Sequence, residues 1–233
     1  MNTIKGVAAE MPGSGYRSNA RPEVMELLPT LKQGSKVLEV GCGEGTFAAA
    51  IPGAQEVWGI EPDHRSAEIA AQRLNNVLVG TFDEVKASLP PRYFDLVVCN
   101  DVIEHMTDHD AFLRSIQDHM APGGHLVGSV PNVRFRGNLF NLIVARDWHY
   151  QDSGTLDRTH FRFFTFRSLR RSLEGAGLEV QRLQGLNRPR VLGWRIRALV
   201  EQLFRLSLII LSGPAGRDID YLQLGFVANP VRR

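Results

Sequence analysis

The segment Gly41-Cys42-Gly43-Glu44-Gly45 places three glycines at alternate positions directly after the short apolar run Lys36-Val37-Leu38-Glu39-Val40. Glycine has no Cβ, so such a loop lets the backbone approach a ligand closely and adopts positive φ without strain. Glu61 stands twenty residues beyond Gly41, at the end of a second apolar run. A carboxylate there can accept hydrogen bonds from both hydroxyls of a ribose. Loop and acid together indicate an adenosine-type ligand. A dinucleotide fingerprint of the form GxGxxG, counted from Gly41, requires glycine at 46; the chain has Thr46, and the third glycine arrives one residue early at Gly45. An NAD-binding oxidoreductase is therefore the weaker of two enzyme readings. Cys42 and Cys99, the only cysteines, are too few for a disulfide framework or a four-ligand zinc site and read as small packing residues at strand ends.

The elements that position these groups follow from apolar runs and punctuation. Pro22 sets up a helix over residues 22–29, and the run at 36–40 leads through the glycine loop to a helix over 46–51. Strands are predicted over 56–61, 77–80, 94–100 and 125–130, with helices near 67–74, 83–88 and 109–120 between them. Strands alternating with helices imply right-handed crossovers and a mostly parallel sheet. In such a sheet ligands bind beyond the carboxyl ends of the strands, where strand order reverses. After Pro131 the periodicity is lost over 132–166, then returns as a helix at 167–176 stopped by Gly177, a strand over 178–183, a helical stripe over 192–211 and a strand over 221–228.

Four motifs in order carry a resemblance: VLEVGCGEG, the acid ending the second strand, FDLVVCNDVIEHM at the fourth, and MAPGG before the fifth. The chain resembles the class I S-adenosylmethionine-dependent methyltransferases over residues 16–183. The resemblance implies a three-layer, Rossmann-like α/β fold: a seven-stranded, mostly parallel sheet with an antiparallel last strand, in one domain. It also implies S-adenosylmethionine as methyl donor. Residues Glu39, Gly41, Cys42, Gly43 and Gly45 would lie under the methionine part, and Glu61 with Pro62 would hold the ribose. Relatives usually carry a Gly-Asp-Ala sequence after the third strand; here Gly80-Thr81-Phe82-Asp83 stands in its place, so Phe82 is expected to meet adenine by stacking or through its backbone amide, with Asp83 a second candidate and Thr81 beside it. Asn100 would offer its carbonyl to the cofactor ammonium, with Asp101 and Glu104 at the same mouth. Tyr16 and Arg21 resemble an arm closing over the cofactor, the arginine facing its carboxylate.

Methyl transfer from a sulfonium is an in-line displacement, so no metal is intrinsically required, and the protein mainly holds a nucleophile against the methyl. An alcohol nucleophile needs a base, for which histidine is the commonest choice. His160 is the first candidate, with Asp157 three residues earlier to orient its ring; His105 and His149 follow. The stretch PNVRFRGNLFNLIVARDWHYQDSGTLDRTHFRFFT resembles a subgroup associated with bacterial polysaccharide biosynthesis, which implies a saccharide or another small polar acceptor. A non-catalytic S-adenosylmethionine-binding protein would lack so developed an acceptor segment.

The 233 residues carry a formal net charge of +2 that hides an asymmetry. Residues 1–130 hold ten Lys and Arg against seventeen acids, whereas 131–233 hold seventeen Arg and eight acids. The arginines Arg134, Arg136, Arg158 and Arg162 suggest recognition of an anionic acceptor, and nothing suggests nucleic acid. No apolar run reaches the ~20 residues of a membrane span, and no leader pattern opens the sequence, so a cytoplasmic location is expected. The stripe 192–211 is read as a packing helix that offers, in addition, a peripheral membrane contact or a homodimer face.

Overall fold

The computed structural model describes residues 21–189 and 196–231. Tyr16, in the expected arm, lies outside the described residues. Seven strands form one sheet: β1 Ser35–Val40, β2 Ala54–Glu61, β3 Asn76–Val79, β4 Phe94–Asn100, β5 Met120–Pro131, β6 Leu178–Leu186 and β7 Gln223–Pro230. Their order is β3-β2-β1-β4-β5-β7-β6. The first five pair in parallel, and β7 is antiparallel to both β5 and β6. This is the expected Rossmann-like α/β fold, and it puts the reversal of strand order between β1 and β4.

The helices are α1 Pro22–Met25, α2 Thr46–Ala49, α3 His64–Ala70, α4 Phe82–Val85, α5 His109–Ser115, α6 Arg136–Phe140, α7 Phe166–Gly175 and α8 Ile196–Ser212. Strand side chains alternate between two cores, as a period of two requires. Leu38, Val40, Val97, Cys99 and Phe226 pack toward α5 and α7, while Val37, Leu96, Val98 and Val227 pack toward α1, α2 and α3. Because both faces are covered, β1 and β4 read as continuous apolar runs.

Two expectations are corrected in detail. The fifth strand begins at Met120 rather than His125, since Phe94 pairs with Met120 ahead of an irregularity that the Pro122-Gly123-Gly124 turn creates. The stretch 132–166 contains a helix that the periodicity does not announce. There α6 widens into a π turn over Asn141–Ala145 and stops at Arg146, whose φ of 56° is left-handed. Leu142, Ile143 and Val144 in that turn all face solvent. A helix that exposes three successive apolar residues has no 3.6-residue signature to read.

Candidate active site

The loop after β1 turns on three positive-φ glycines, Gly41 at 70°, Gly43 at 54° and Gly45 at 74°. Gly41 is the most constrained, because a Cβ there would stand 2.6 Å from Cγ2 of Val102. Glu61, at the end of β2, leans back onto this loop: Oε2 accepts from the Gly43 amide at 2.8 Å and Oε1 from the Asp63 amide at 3.0 Å. Each oxygen keeps lone-pair capacity for a further donor. The Glu39 carboxylate accepts from the Ala48 amide at 3.1 Å and so ties β1 to α2. Burial pushes its pKa up to about 8, against the Ala48 hydrogen bond and the charge of Arg21. Burial likewise raises the Cys42 and Cys99 thiols, which leaves both unreactive.

Across the reversal point, Asn100 ends β4 with both side-chain amide atoms buried and without a hydrogen-bond partner. Asp101 follows with φ of 51°. It accepts from Arg21 Nη1 at 2.6 Å, from the Ser129 hydroxyl at 2.9 Å and from Gln223 Nε2 at 2.8 Å. Arg21 also reaches Glu23 and Ser129. The arginine thus stands at the expected mouth, but its guanidinium is engaged by Asp101 and Glu23. Sequence reasoning passes over Ser129 and Gln223, which lie on β5 and β7 and meet Asp101 only because those strands pair.

The adenine-side residues are placed differently from expectation. Phe82 is buried with its ring edge-on to Phe112, centroids 4.9 Å apart. That face is occupied by the core, and stacking on a ligand would require it to leave. Thr81 caps α4, its amide and hydroxyl both bonded to Glu84. Asp83 is exposed and paired with Lys86, and Pro62 is exposed.

On the acceptor side the chain returns from residue 157 to lie over the end of β4. The amides of Phe161 and Arg162 bond to the Glu104 carbonyl. His105 and His160 come together edge to face, with centroids 4.6 Å apart. Asp157 does not orient His160, as the spacing suggested. Its Oδ1 accepts from the amide and hydroxyl of Thr159, and that hydroxyl meets His105 Nδ1 at 3.1 Å. His160 Nδ1 instead faces the Thr155 carbonyl at 3.0 Å. Because the Thr159 hydroxyl donates to Asp157 and a carbonyl only accepts, Nδ1 is the donating nitrogen in both contacts. Desolvation, reinforced by the neighbouring His160, lowers the His105 pKa. Burial works to raise the Asp157 carboxyl, but the Thr159 bonds and the two imidazoles hold it below the usual range. Glu104 is fully buried, both carboxyl oxygens lack a partner, and burial with the Asp101 charge raises its pKa well above the ordinary value. His149 sits apart on the exposed stretch after the π turn, between Trp148 and Tyr150, which both contact Phe163.

Several arginines of this half are engaged within the protein. Arg134 bonds to Asp218 through both Nε and Nη2. Arg136, Arg188 and Arg205 converge on Asp220, which is 1% exposed. Arg158 pairs with Asp152, and Arg162 reaches the Thr107 carbonyl. Ion pairs hold Arg134, Arg136, Arg188 and Arg205 within the protein, whereas Arg158 and Arg162 stay exposed.

A methyltransferase-domain family profile matches residues 14–183. Among curated proteins, the chain is 32% identical over 164 residues to the ubiquinone biosynthesis O-methyltransferase of Neisseria meningitidis serogroup C (strain 053442), covering 66% of this chain and 68% of that one. It is 29% identical over 164 residues to the protein of the same name from Vibrio atlanticus (strain LGP32), covering 66% and 67%. Among solved structures, an S-adenosylmethionine-dependent methyltransferase from Archaeoglobus fulgidus superposes with a TM-score of 0.63 at 18% identity, over 91% of this chain and 93% of that one. A putative S-adenosylmethionine-dependent methyltransferase from Listeria monocytogenes gives 0.60 at 14% identity, over 91% and 98%. These structural likenesses establish the fold. The curated relatives are named for ubiquinone biosynthesis, and the membership shown is that of the wider family. The residues fit the cofactor: the buried amide of Asn100 lies at the switch point, opposite a glycine loop braced by Glu61. The chain belongs to the methyltransferase-domain family and is an S-adenosylmethionine-dependent methyltransferase.

Proposed function

We propose that this enzyme methylates a hydroxyl oxygen of a saccharide or a comparable small polar molecule. The observation that carries the reading is the convergence of Glu104, His105 and His160 beside Asp101, at the mouth where β4 ends. When bound, S-adenosylmethionine supplies a methyl group on a sulfonium, open to in-line displacement. Glu61 and the 41–45 loop hold the cofactor's ribose and methionine ends, and Asn100 and Asp101 set the depth of the mouth. The Glu104–His105–His160 cluster aligns the acceptor hydroxyl, and the His160 imidazole takes its proton as the oxygen lone pair displaces the thioether from the methyl group. The cofactor half, the acceptor half and α8 act as one domain. Arg134 and Arg136, held by Asp218 and Asp220, drop out of the charge argument for an anionic acceptor, which is left to the exposed Arg158 and Arg162.

A second reading, an acceptor with an apolar tail, is favoured by the stripe on α8: Leu199, Leu203, Leu206, Ile210 and Leu211 are all exposed, near the exposed π turn that follows α6. No helix among the described residues is long and apolar enough to cross a membrane. The two relatives above are named for ubiquinone biosynthesis, which accords with this second reading. The test is methyl transfer from labelled cofactor to a panel of glycosides and of ring diols with and without an isoprenoid tail. Turnover on the glycosides supports the first reading, and turnover only on tailed diols replaces it with the second. With the accepted substrate, His160→Ala should lose at least about a hundredfold in kcat while keeping S-adenosylhomocysteine affinity. Activity within tenfold of the parent would remove His160 from the site and leave His105.

A further inference from the structure

Nine of the thirteen large apolar side chains that are exposed among the described residues lie in two segments, 142–144 and 199–211. The first is the π turn after α6, where Leu142, Ile143 and Val144 face solvent in succession. The second is the outer side of α8. Leu199, Leu203, Leu206 and Ile210 recur there at intervals of four, three and four residues, which sets them in one stripe along a helix. The other side of α8 is the one that packs: the Phe204 ring stands edge-on to Phe140 of α6, centroids 5.7 Å apart, and Arg205 turns to Asp220. That packing leaves the outer apolar face of α8 unpartnered, with Ile210 and Leu211 79% and 82% exposed. The Phe140–Phe204 contact also brings the two segments side by side. Exposed apolar surface gathered in this way marks a contact with something outside the domain.

Topology gives the place of the patch. β7 is antiparallel to both β5 and β6, so β6 ends and β7 begins at the sheet end where β1 and β4 end. α8 joins those two strands, and α6 follows the end of β5. The patch therefore shares the sheet end of the glycine loop and of the His105–His160 pair. Charge names the occupant. Exposed arginines border the patch: Arg146 closes the π turn, Arg217 follows α8, and Arg188, its side chain 57% exposed, shares Asp220 with Arg205. From Asn187 to Arg217 the sequence holds six arginines and one acid, Glu201; Asp147 is the exposed acid beside Arg146. A second copy laid on the same patch would set these arginines against their own counterparts. An anionic lipid surface meets both features, acyl chains against the leucines and headgroups against the guanidinium groups. At 17 residues α8 is about 25 Å long, and no helix among the described residues is long and apolar enough to cross a membrane, so α8 would lie in the interface. We propose that the α6 turn and α8 dock this enzyme on the surface of an anionic lipid bilayer, with α8 in the plane of the headgroups and the acceptor mouth turned toward them. The docking holds under either acceptor reading, and a tailed acceptor would reach the mouth from the bilayer.

The experiment is co-sedimentation of tag-free full-length protein with vesicles of phosphatidylcholine alone and of phosphatidylcholine carrying about one-third phosphatidylglycerol. Partition into the anionic vesicles is expected to be at least about tenfold stronger, and to fall as salt rises from ~0.1 to ~0.5 M. Leu203→Glu with Ile210→Glu should lower it at least about tenfold. Arg146→Asn, which suits the left-handed φ at that position, with Arg217→Gln should also lower it by about tenfold. All four positions lie outside the cofactor site, so unchanged S-adenosylhomocysteine affinity shows that the variants are folded. Absence of partition into anionic vesicles, equal partition into both kinds, or binding that survives both pairs of substitutions overturns the proposal. Concentration-dependent dimerisation in analytical ultracentrifugation, abolished by Leu203→Glu with Ile210→Glu and unaccompanied by vesicle binding, overturns it in favour of a second copy. None of these readouts needs turnover, so either acceptor reading can fail while the docking surface stands, and the reverse.

Discussion

Glu61 spends one oxygen on the Gly43 amide and the other on the Asp63 amide, so it shapes the loop in addition to the ribose contact proposed for it. A charged hydrogen bond of this kind contributes about 1.5–3 kcal/mol. Glu61→Ala is expected to weaken S-adenosylhomocysteine by one to two orders of magnitude in calorimetric titration, with Glu61→Gln, which keeps one acceptor oxygen, in between. An unchanged Kd in Glu61→Ala would remove the residue from the cofactor site. Glu39 behaves differently. Burial raises its folded pKa to about 8, above the unfolded value, so the folded state holds the extra proton between roughly pH 4.5 and 8. Stability from this group is complete below the unfolded pKa and is lost as pH rises through the folded one, by at most about 1.4 kcal/mol per unit. Glu39→Gln keeps an acceptor for the Ala48 amide and removes the titration. Its melting temperature should exceed the parent's at pH 9 by more than at pH 6, and a parallel offset at both would refute the assignment.

Single elements bear the rest of the site. At the turn leaving β1, Gly41→Ala combines a φ of 70° with a Cβ 2.6 Å from Cγ2 of Val102. A loss of about 1–3 kcal/mol in urea denaturation is expected. Adding Val102→Ala should recover the packing share but leave the φ share, and full recovery would show that backbone strain counts for nothing here. The elements of the cofactor half were legible because each bears one strong signal. β1 and β4 are apolar runs, Gly41–Gly45 a dense glycine loop, and Glu61 an acid at a set distance. The acceptor half was not legible in the same way. The edge-to-face histidines lie 55 residues apart in sequence and meet through backbone bonds from Phe161 and Arg162 to the Glu104 carbonyl. No local pattern encodes such bonds. Asp157 sits three residues before His160, yet it serves His105 through Thr159, because a loop obeys hydrogen-bond reach rather than helical spacing. The stack foreseen for Phe82 lost to Phe112, since a ring at a helix start next to a core is drawn into that core.

At the scale of the molecule, part of the positive charge of the second half is spent internally. Asp220 is buried and holds Arg205 at 2.5 Å, Arg188 at 2.8 Å and Arg136 at 3.9 Å, joining α6, the end of β6 and α8 at one carboxylate. The Arg205 bond lowers its pKa, against partial desolvation. The contribution is therefore present above the ordinary aspartate range and is lost as pH falls through the folded pKa. Asp220→Asn should destabilise by about 3–5 kcal/mol near neutral pH and flatten the acid side of the stability curve. A change below 1 kcal/mol would show that the three arginines find other partners. The sheet order has another consequence, one for synthesis. β7 is made after β5 and β6 yet lies between them. A nascent chain that has already built its glycine loop and histidine pair still carries β5 as an open edge and β6 with nothing beside it. Both wait for the eight residues from Gln223 to Pro230 to leave the ribosome. Translation stalled just upstream of them would release a chain with a near-complete cofactor site and two unprotected strand edges, the kind of product that aggregates or is degraded rather than one that works slowly.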